Sequence, residues 1–472
     1  MPINSFLYPG AKVTPAYEVA NSVRFNDGDT AYMHKTPSSV GDLQKFTYSV
    51  WFKRGVLTGA EQYLLEYNEA GDNDDNFRIT LSSSDTLFIQ DTESNTSNLD
   101  LRTNMVFRDV SAWYHLIVAV DTTQGTAANR CKVYVNGTQI TSWSTETYPS
   151  QNYNTNVNVA NEKLIIGRRE SISTPASYFD GYMCEVVFLD GTQASNTDLG
   201  EFDEDSPNIW KPKDVSGLTF GTNGFYLDFE DSSNLGNDAN GGTDLTEVNL
   251  AATDQSTDTC TNNFCTMNPL NRYQYNFTFE EGNLKVSNSS NNWHAASGTI
   301  GVNTGKWYFE AKYTGSSNLQ HWYVGFGGEA QNASDATRNS VAFYNNDGGE
   351  VHTSDVSNNT ATTADYGTFS QNDIIGIALD YDNEYISVYK NGSAIVTNYD
   401  YGATSYSSNL KDGKTIFPYV AHYASGDISL NFGSPAYSIS SGNSDANGYG
   451  NFEYSVPSGY YALNSKNLAE FG

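Results

Sequence analysis

The chain has 472 residues and a formal net charge of −30, and only 17% of its residues are charged whereas 14% are aromatic. This length predicts two or three domains, each with its own core. The negative charge argues against binding to nucleic acid or anionic lipid, and the lack of any run of roughly 18 apolar residues argues against membrane insertion.

Residues 1–20 form a short lead before the first predicted module. The start of the chain, from Met1 to Pro9, lacks the charged and apolar regions of a secretory signal peptide. We therefore expect synthesis in a cytoplasm. If the protein acts outside the cell, we expect it to leave by lysis or as part of a particle.

Strand-like runs separated by clusters of Gly, Asn, Asp and Ser predict an antiparallel sandwich over residues 21–213. The predicted strands cover residues 46–52, 77–81, 86–89, 113–120, 131–135, 164–166 and 182–189. One short helix is predicted around residues 196–202, with Ser195 or Thr197 as its cap.

A connecting region, residues 214–263, contains an apolar run at 224–229 that we expect to complete the first sandwich. The second predicted module covers residues 264–437. Its predicted strands include residues 307–311, 322–326, 374–379, 385–389 and 428–432. A tail rich in Ser, Gly and Asn, residues 438–472, ends the chain.

One β-element occurs in both modules: an apolar strand ends in Asp, and a second strand then runs into Asn-Gly. The first copy covers residues 115–121 and 132–137, and the second covers 373–380 and 386–392. Val, Ile and Tyr favour strands, and Asn-Gly favours a tight hairpin turn. The repeat predicts two sandwiches of related architecture and favours a binding role over catalysis.

Four cysteines are too few for a disulfide framework in a chain of this length. Cys131 and Cys184 lie in predicted strands, where a buried thiol behaves as a small apolar residue. Cys260 and Cys265 could bridge or bind a metal. Without a second cysteine pair or a nearby histidine, the sequence disfavours zinc.

Two domain families are recognisable in these residues. Residues 21–210 resemble a laminin-G-like, concanavalin A-like domain through residues 46–54, 113–121, 132–137, 165–168 and 178–191. Residues 264–433 resemble a SPRY domain through residues 305–310, 323–326, 373–392, 417–419 and 430–433. The resemblance implies an all-β fold of two concanavalin A-like antiparallel β-sandwich (jelly-roll) modules in tandem.

The combination of these modules with residues 210–213, 221–229, 262–264 and 267–270 is similar to tandem proteins of tailed bacteriophages and marine viruses. This resemblance implies a virion component of the tail-fibre or adhesin type, with host surface glycan and other virion proteins as partners. A homotrimer would suit a fibre, although nothing in the sequence establishes the oligomeric state. The alternative is a capsid decoration or fibre-assembly protein whose sandwiches contact other virion subunits.

We predict no enzymatic activity. Glycoside hydrolysis needs two carboxylates facing each other about 5–9.5 Å apart. The carboxylates of residues 201–205 are wrongly spaced for such a pair, and Glu185 is followed by apolar residues. The six histidines accompany no nucleophile motif, and His115 is expected to be a structural residue of a strand.

Calcium is the one cofactor that the sequence leaves open. Laminin-G-like domains often bind Ca²⁺ at one rim, and Asp72, Asp74 and Asp75 gather hard oxygen ligands in one loop. The alternative is a solvated hairpin turn, because such clusters are common in turns.

Aromatic residues in loops are the candidate sugar ligands, because sugar rings stack on flat aromatic faces. In the first module they are Trp143, Tyr148 and Tyr153, although their segment could instead be a latch on the sandwich or a subunit interface. In the second module, loops at 330–346 and 354–369 are expected to bind a partner. Their candidate residues are Arg338, Phe343, Tyr344 and Tyr366, and Trp293, Trp307 and Trp322 are assigned to the core.

Overall fold

The computed structural model describes residues 17–68, 75–170, 176–273, 277–315, 321–329, 339–345, 348–355, 360–363, 365–423 and 425–472. Strands dominate this part of the chain, and the α-helices described in it are α1 (Asn196–Leu199) and α2 (Ser465–Phe471). Neither of these helices is long and apolar enough to cross a membrane. The predicted fold class, antiparallel β-sandwiches in tandem, is confirmed.

The strands of the first half are, in chain order, β1 (Ser22–Phe25), β2 (Tyr32–Lys35), β3 (Lys45–Arg54), β4 (Gln62–Asn68), β5 (Asn76–Leu81), β6 (Thr86–Glu93), β7 (Thr96–Val106), β8 (Trp113–Asp121), β9 (Cys131–Val135), β10 (Thr138–Gln139), β11 (Trp143–Thr147), β12 (Lys163–Ile166), β13 (Gly181–Asp190), β14 (Gly200–Phe202), β15 (Trp210–Pro212), β16 (Phe225–Leu227), β17 (Thr246–Val248) and β18 (Gln255–Ser256).

The strands of the second half are β19 (Met267–Tyr273), β20 (Phe277–Glu280), β21 (Lys285–Asn288), β22 (His294–Gly298), β23 (Lys306–Tyr313), β24 (Trp322–Gly327), β25 (Ser340–Asn345), β26 (Glu350–Ser354), β27 (Thr360–Thr362), β28 (Ile374–Asp380), β29 (Tyr385–Lys390), β30 (Ser393–Asp400), β31 (Phe417–His422), β32 (Gly426–Asn431) and β33 (Tyr461–Ala462).

Each sandwich consists of two sheets with matching strand orders. In the first, sheet 1 has the order β10-β9-β8-β3-β13-β1-β18, with β16 beside β13, and sheet 2 has the order β11-β7-β6-β5-β4-β12-β2-β17. In the second, sheet 3 has the order β30-β29-β28-β23-β32-β21-β20, with β33 beside β23, and sheet 4 has the order β27-β26-β25-β24-β31-β22-β19. Strands β14 and β15 form a separate hairpin.

Side chains that alternate between the two faces of each strand form the cores. Along β3, residues 46, 48, 50 and 52 pack into the first core, whereas Trp51 and Lys53 belong to the opposite face. On the outer face of sheet 1, Ile117 and Val187 are covered by Leu199 and Phe220 from the segment that follows the last long strand. The first module therefore buries both faces of sheet 1.

The repeated β-element has the same structure in both modules. Asn136 and Gly137 have φ values of 47° and 74°, and Asn391 and Gly392 have values of 49° and 78°. Asn136 Oδ1 accepts a hydrogen bond of 2.8 Å from the His115 backbone N–H, and Asn391 Oδ1 accepts the equivalent bond of 2.9 Å from Ile374. Each Asn-Gly pair turns the chain into the following strand, as predicted.

The two modules contact each other directly and through the connecting region. Tyr182 Oη donates a hydrogen bond of 2.9 Å to the Gly282 carbonyl, and Arg24 pairs with Glu281 at 3.2 Å. Ser256 and Ser434 are 2.6 Å apart between their hydroxyl oxygens. The tail from 438 onward also contributes to the second sandwich, because β33 pairs with β23. The domain boundaries assigned from the sequence stay a prediction.

Several local predictions differ from the structure. The predicted helix ends at Leu199, and its last three residues form β14. Ser195 is its cap, because its Oγ accepts from the Thr197 N–H. The assignment of Trp293 to the core was wrong: it packs on the outer face of sheet 4, whereas Trp307 and Trp322 are fully buried. The apolar run at 224–229 is confirmed as a strand of sheet 1.

Candidate functional site

The predicted sugar ligands of the first module contact their own sandwich. Trp143 lies in β11, which pairs with β7, and its ring packs against the core. Tyr148 also packs there and donates to Glu146 Oε1 at 3.1 Å. Tyr153 Oη donates to Asp91 Oδ1 at 2.8 Å. The segment therefore closes the edge of sheet 2, and ligand binding by these three residues stays a prediction.

The predicted partner-binding residues of the second module are spread over strand, core and turn. Arg338 lies outside the described residues. Tyr344 and Phe343 were expected in a loop but lie in β25, and Phe343 is fully buried. Tyr366 packs against the second core, and its backbone N–H donates to the Gly349 carbonyl at 2.8 Å. Only Tyr344 belongs to an aromatic surface.

That surface, called here the aromatic face, lies on the outer side of sheet 4. Tyr344 stacks on Tyr323 with ring centroids 4.2 Å apart, and Trp293 lies 5.5 Å from Tyr423, of which 38% is exposed. His321 Nδ1 lies 2.8 Å from Tyr344 Oη. Small alanines lie beneath the rings, so aromatic groups supply most of the contact surface.

The calcium prediction falls mostly outside the described residues. Asp72 and Asp74 are among the residues that the structure does not describe. Asp75 Oδ1 accepts a hydrogen bond of 2.5 Å from the Ser94 backbone N–H. Within the described ranges, no group of three or more His, Cys, Asp or Glu side chains could hold a metal ion. Calcium binding stays a prediction.

Two of the four cysteines meet each other. Cys184 Sγ and Cys260 Sγ are 3.6 Å apart, whereas Cys265 is buried beside Thr299. All four cysteines are free thiols, so Cys260 and Cys265 do not bridge each other in this structure.

Glu185 occupies a β-bulge in β13, where its φ is 51° and the register with β3 shifts. Both of its carboxylate oxygens accept hydrogen bonds of 2.9 Å from Tyr226 Oη, and Tyr17 Oη donates to Oε2 at 3.0 Å. Burial raises the pKa of Glu185 to about 7. The two tyrosines cap this carboxyl group, which leaves it a structural role in the bulge.

A polar pocket lies on the outer side of sheet 2. Glu66, Arg78, Gln90 and Asp100 stand opposite one another on β4, β5, β6 and β7, so that they form one row across the sheet. The Arg78 guanidinium donates to Gln90 Oε1 at 2.8 Å through Nε and to Tyr63 Oη at 2.7 Å through Nη1. These bonds hold the guanidinium in one orientation.

The pocket has a volume of about 260 Å³, and its side chains are almost all polar. It is lined by Tyr63, Glu66, Asn68, Asn76, Arg78, Gln90, Thr92, Asn95, Ser97 and Arg169. The neighbouring segment folds toward the row, because the Glu170 backbone N–H donates to Glu66 Oε2. The Arg169 guanidinium finds no hydrogen-bond partner within the described part of the chain.

The electrostatics of the pocket are unusual for so acidic a protein. Burial raises the pKa of Glu66 to about 7, so its charge at neutral pH is only partial. Among the described residues, Arg78 and Arg169 are the other charged groups that line the pocket. The charge of this described lining is therefore positive, although the whole chain carries −30.

Sequence reasoning missed this pocket. Arg78, Gln90 and Asp100 appear in the sequence only as the polar positions of alternating strands, which is typical of any solvated sheet face. Their register across four strands depends on turns and bulges, including the shift at Tyr63–Leu65. No local pattern distinguishes such a row from an ordinary exposed face.

Comparison with known families matches both halves of the chain. Residues 26–195 match the Laminin_G_3 family, described as the concanavalin A-like lectin/glucanases superfamily, and residues 306–435 match the SPRY domain family. A concanavalin A-like domain and a SPRY domain are therefore present in tandem, as the sequence indicated. No curated protein matches the chain.

Several solved structures are similar. The SPRY domain of human HERC1 is 17% identical, with a TM-score of 0.28, and the match covers 35% of this chain and 96% of that one. A putative carbohydrate binding protein from Bacteroides ovatus ATCC 8483 is 16% identical, with a TM-score of 0.35, covering 49% and 58%. A SAP-like pentraxin from Limulus polyphemus is 15% identical, with a TM-score of 0.28, covering 39% and 82%.

Proposed function

We propose that the chain is a non-enzymatic virion protein that attaches the particle to host surface glycan through the polar pocket of sheet 2. The proposal rests on the row of Glu66, Arg78, Gln90 and Asp100. Beside this row lies Arg169, whose guanidinium has no hydrogen-bond partner among the described residues. Sugar hydroxyls both donate and accept hydrogen bonds, and this row offers amide, guanidinium, carboxyl and phenol groups at once. A volume of about 260 Å³ suits one or two sugar rings.

The composition of the pocket argues against hydrolysis. Glycosidases need an acid and a second carboxylate about 5–9.5 Å apart. Among the described residues, Glu66 is the only acidic side chain that lines the pocket. A protonated Glu66 without a facing carboxylate can donate a hydrogen bond to a sugar but cannot complete a double displacement. Concanavalin A-like lectin and SPRY folds are also typically binding domains.

The virion part of the proposal rests on the sequence resemblance around residues 210–229 and 262–270. On this proposal the protein is made in the host cytoplasm and reaches the outside by lysis. The second module would then face other virion proteins or further copies of the chain, as in a homotrimer. The tight packing of the modules suits such a role, because a rigid unit presents the pocket in one orientation.

The test measures binding of the full chain to an array of neutral and acidic oligosaccharides. Arg78→Ala removes a charged donor and is expected to weaken binding by about 10- to 100-fold. The Arg169 side chain makes no hydrogen bond within the described residues, so Arg169→Ala should preserve the fold, and a loss of binding should report on the ligand. Lys132→Ala removes one positive charge from β9 in sheet 1 and is the matched control. Binding that is unchanged in both arginine variants, or no glycan binding at all, would contradict the proposal.

A second candidate function is that of a capsid decoration or fibre-assembly protein, and the aromatic face favours it. Tyr and Trp are enriched where proteins bind one another, and Trp293, Tyr344 and Tyr423 lie together there. Immunogold labelling of intact virions distinguishes the candidates. Gold at tail or fibre tips supports attachment, gold over the capsid supports decoration, and no gold on any particle refutes a place in the virion.

A further inference from the structure

A second cavity, called here the tryptophan cleft, lies on the outer side of sheet 1, where the module meets the connecting region and the start of α2. Its volume is about 330 Å³. Trp51, Trp113 and Trp210 line it, together with the amides of Asn136 and Asn208 and the start of α2 at Ser465. These residues come from five separate stretches of the chain, which the fold brings together.

Hydrogen bonds and stacking hold the indole rings in place. The Trp51 ring lies parallel to the His115 ring, with centroids 4.4 Å apart and an interplanar angle of 4°. Trp210 Nε1 donates to His115 Nδ1 at 2.8 Å, and Trp113 Nε1 donates to Asp258 Oδ1 at 3.2 Å. Only 4% of Trp51, 9% of Trp113 and 8% of Trp210 is exposed, so a ligand would meet the fixed edges of these rings. The protein would therefore lose little side-chain entropy on binding.

His115 supports this array as a neutral residue. Its Nδ1 accepts from Trp210, so the proton resides on Nε2, which lies 2.8 Å from Ser49 Oγ. Burial lowers the pKa of His115 to about 3. The ring thus stays uncharged at any physiological pH, and the expectation that His115 is structural is confirmed.

The open polar atoms of the cleft are mostly donors. The indole N–H of Trp51 finds no acceptor among the described residues, and the Asn208 amide has no hydrogen bond there either. Asn136 Oδ1 is bound to the His115 N–H, which leaves its NH₂ group available. Free amide and indole donors between the edges of apolar rings are complementary to the hydroxyl oxygens of a sugar, which accept hydrogen bonds.

The charge of the cleft selects among ligands. None of the described side chains that line it is charged, although the chain as a whole carries −30. The nearest buried charges, Lys53 and Asp258, pair with each other. A charged ligand would lose hydration without gaining an opposite charge, so the cleft favours a neutral one.

We propose that the tryptophan cleft is a second carbohydrate site, which binds the neutral pyranose units of an oligosaccharide. It belongs to the opposite side of the first sandwich from the polar pocket and uses none of the same residues. The two sites therefore prefer ligands of different charge. Substitutions can abolish binding at one site without changing the residues of the other.

Intrinsic fluorescence tests this site directly, because three of the seven tryptophans of the chain line the cleft. The full chain is titrated with maltotetraose, cellotetraose and mannotetraose, and with a tetragalacturonate as the acidic comparison. We expect a saturable emission change with at least one neutral tetrasaccharide and none with the tetragalacturonate. Saturation-transfer NMR should show magnetisation passing from indole protons to sugar protons.

Asn208 is exposed and lacks hydrogen bonds within the described residues, so its variants should fold. Asn208→Ala should lower the affinity for the neutral sugar by about five- to tenfold. Asn208→Trp should fill the cleft and abolish the fluorescence response. Arg169→Ala should leave this response unchanged, which separates it from the polar pocket. A response that survives Asn208→Trp, an equal response to tetragalacturonate, or no response to any neutral tetrasaccharide would overturn the proposal.

Discussion

Asp258 and Lys53 form an ion pair in the junction between the modules, and only 1% of each side chain is exposed. Besides Lys53, the Asp258 carboxylate accepts hydrogen bonds of 3.2 Å from Trp113 Nε1 and from the Phe264 backbone N–H. We expect Asp258→Ala to be among the most destabilising substitutions in the chain, because it leaves three buried donors without their acceptor.

The magnitude follows from what remains after the substitution. Removing one partner of a buried ion pair costs about 3–5 kcal/mol, since the other charge stays buried. Lys53 keeps a hydrogen bond of 3.0 Å to Asn263 Oδ1 and lies 4.9 Å from the centre of the Tyr182 ring, which offsets part of this cost. Two further unsatisfied N–H groups add about 1 kcal/mol or more each. We expect a total loss of about 4 kcal/mol in the free energy of unfolding.

The assay is urea denaturation of the full chain, followed by tryptophan fluorescence. The double variant Lys53→Met, Asp258→Ala removes both charges and should be more stable than Asp258→Ala alone. As a control, Glu280→Gln breaks the pair of Lys285 and Glu280, whose side chains are 30% and 37% exposed, and should cost less than about 1 kcal/mol. A loss below about 1 kcal/mol for Asp258→Ala, or a double variant less stable than the single one, would refute the reasoning.

Three further predictions concern the turn, the pH dependence and the thiols. Gly137→Ala should lower the melting temperature and disturb the tryptophan cleft, because φ of Gly137 is 74° and a Cβ there would lie 2.2 Å from the Trp210 ring. The control Gly217→Ala should leave the melting temperature unchanged, because a Cβ there would meet no atom within 4 Å. Burial raises the pKa of Glu66 and of Asp91 to about 7, above about 4 in the unfolded chain. Their contribution to stability is complete below a pH of about 4 and is lost as the pH rises to about 7. The melting temperature should therefore fall between pH of about 4 and about 7, and less steeply in Asp91→Asn. Burial should also keep Cys131, Cys184 and Cys265 from reacting with a disulfide reagent in minutes at neutral pH. The partly exposed Cys260, which lines the tryptophan cleft, should react first, and all four thiols should react after unfolding.

Much of the fold could be predicted because it depends on local pattern. The strands around residues 46–52, 113–120 and 182–189 alternate or run apolar, and the structure has β3, β8 and β13 there. Strand β7 was not predicted, because Leu99 and Leu101 are its only buried apolar residues and polar positions surround them. Its place between β6 and β11 comes from pairing and not from propensity.

The candidate sites were much harder to predict. Sequence reasoning placed sugar binding in aromatic loops. It named Tyr344 as a ligand-binding residue but missed Tyr323 of β24 and Tyr419 of β31, which belong to the same outer cluster. Trp293 was assigned to the core together with Trp307 and Trp322, although Asn291 and Asn292 precede it. Whether such a ring faces inward or outward depends on register, and a shift of one residue reverses it.

The sequence by itself determined the two all-β modules, their shared hairpin element and the families that they resemble. It could do so because side-chain alternation and the Asn-Gly turn act over a few neighbouring residues. Only the tertiary structure decided that Trp51, Trp113 and Trp210 surround one cavity, and that Glu66, Arg78, Gln90 and Asp100 stand in one row. The physical reason is that a binding site depends on where distant segments meet, and their meeting is set by sheet register and by the packing of the connecting region, which no short stretch of sequence contains.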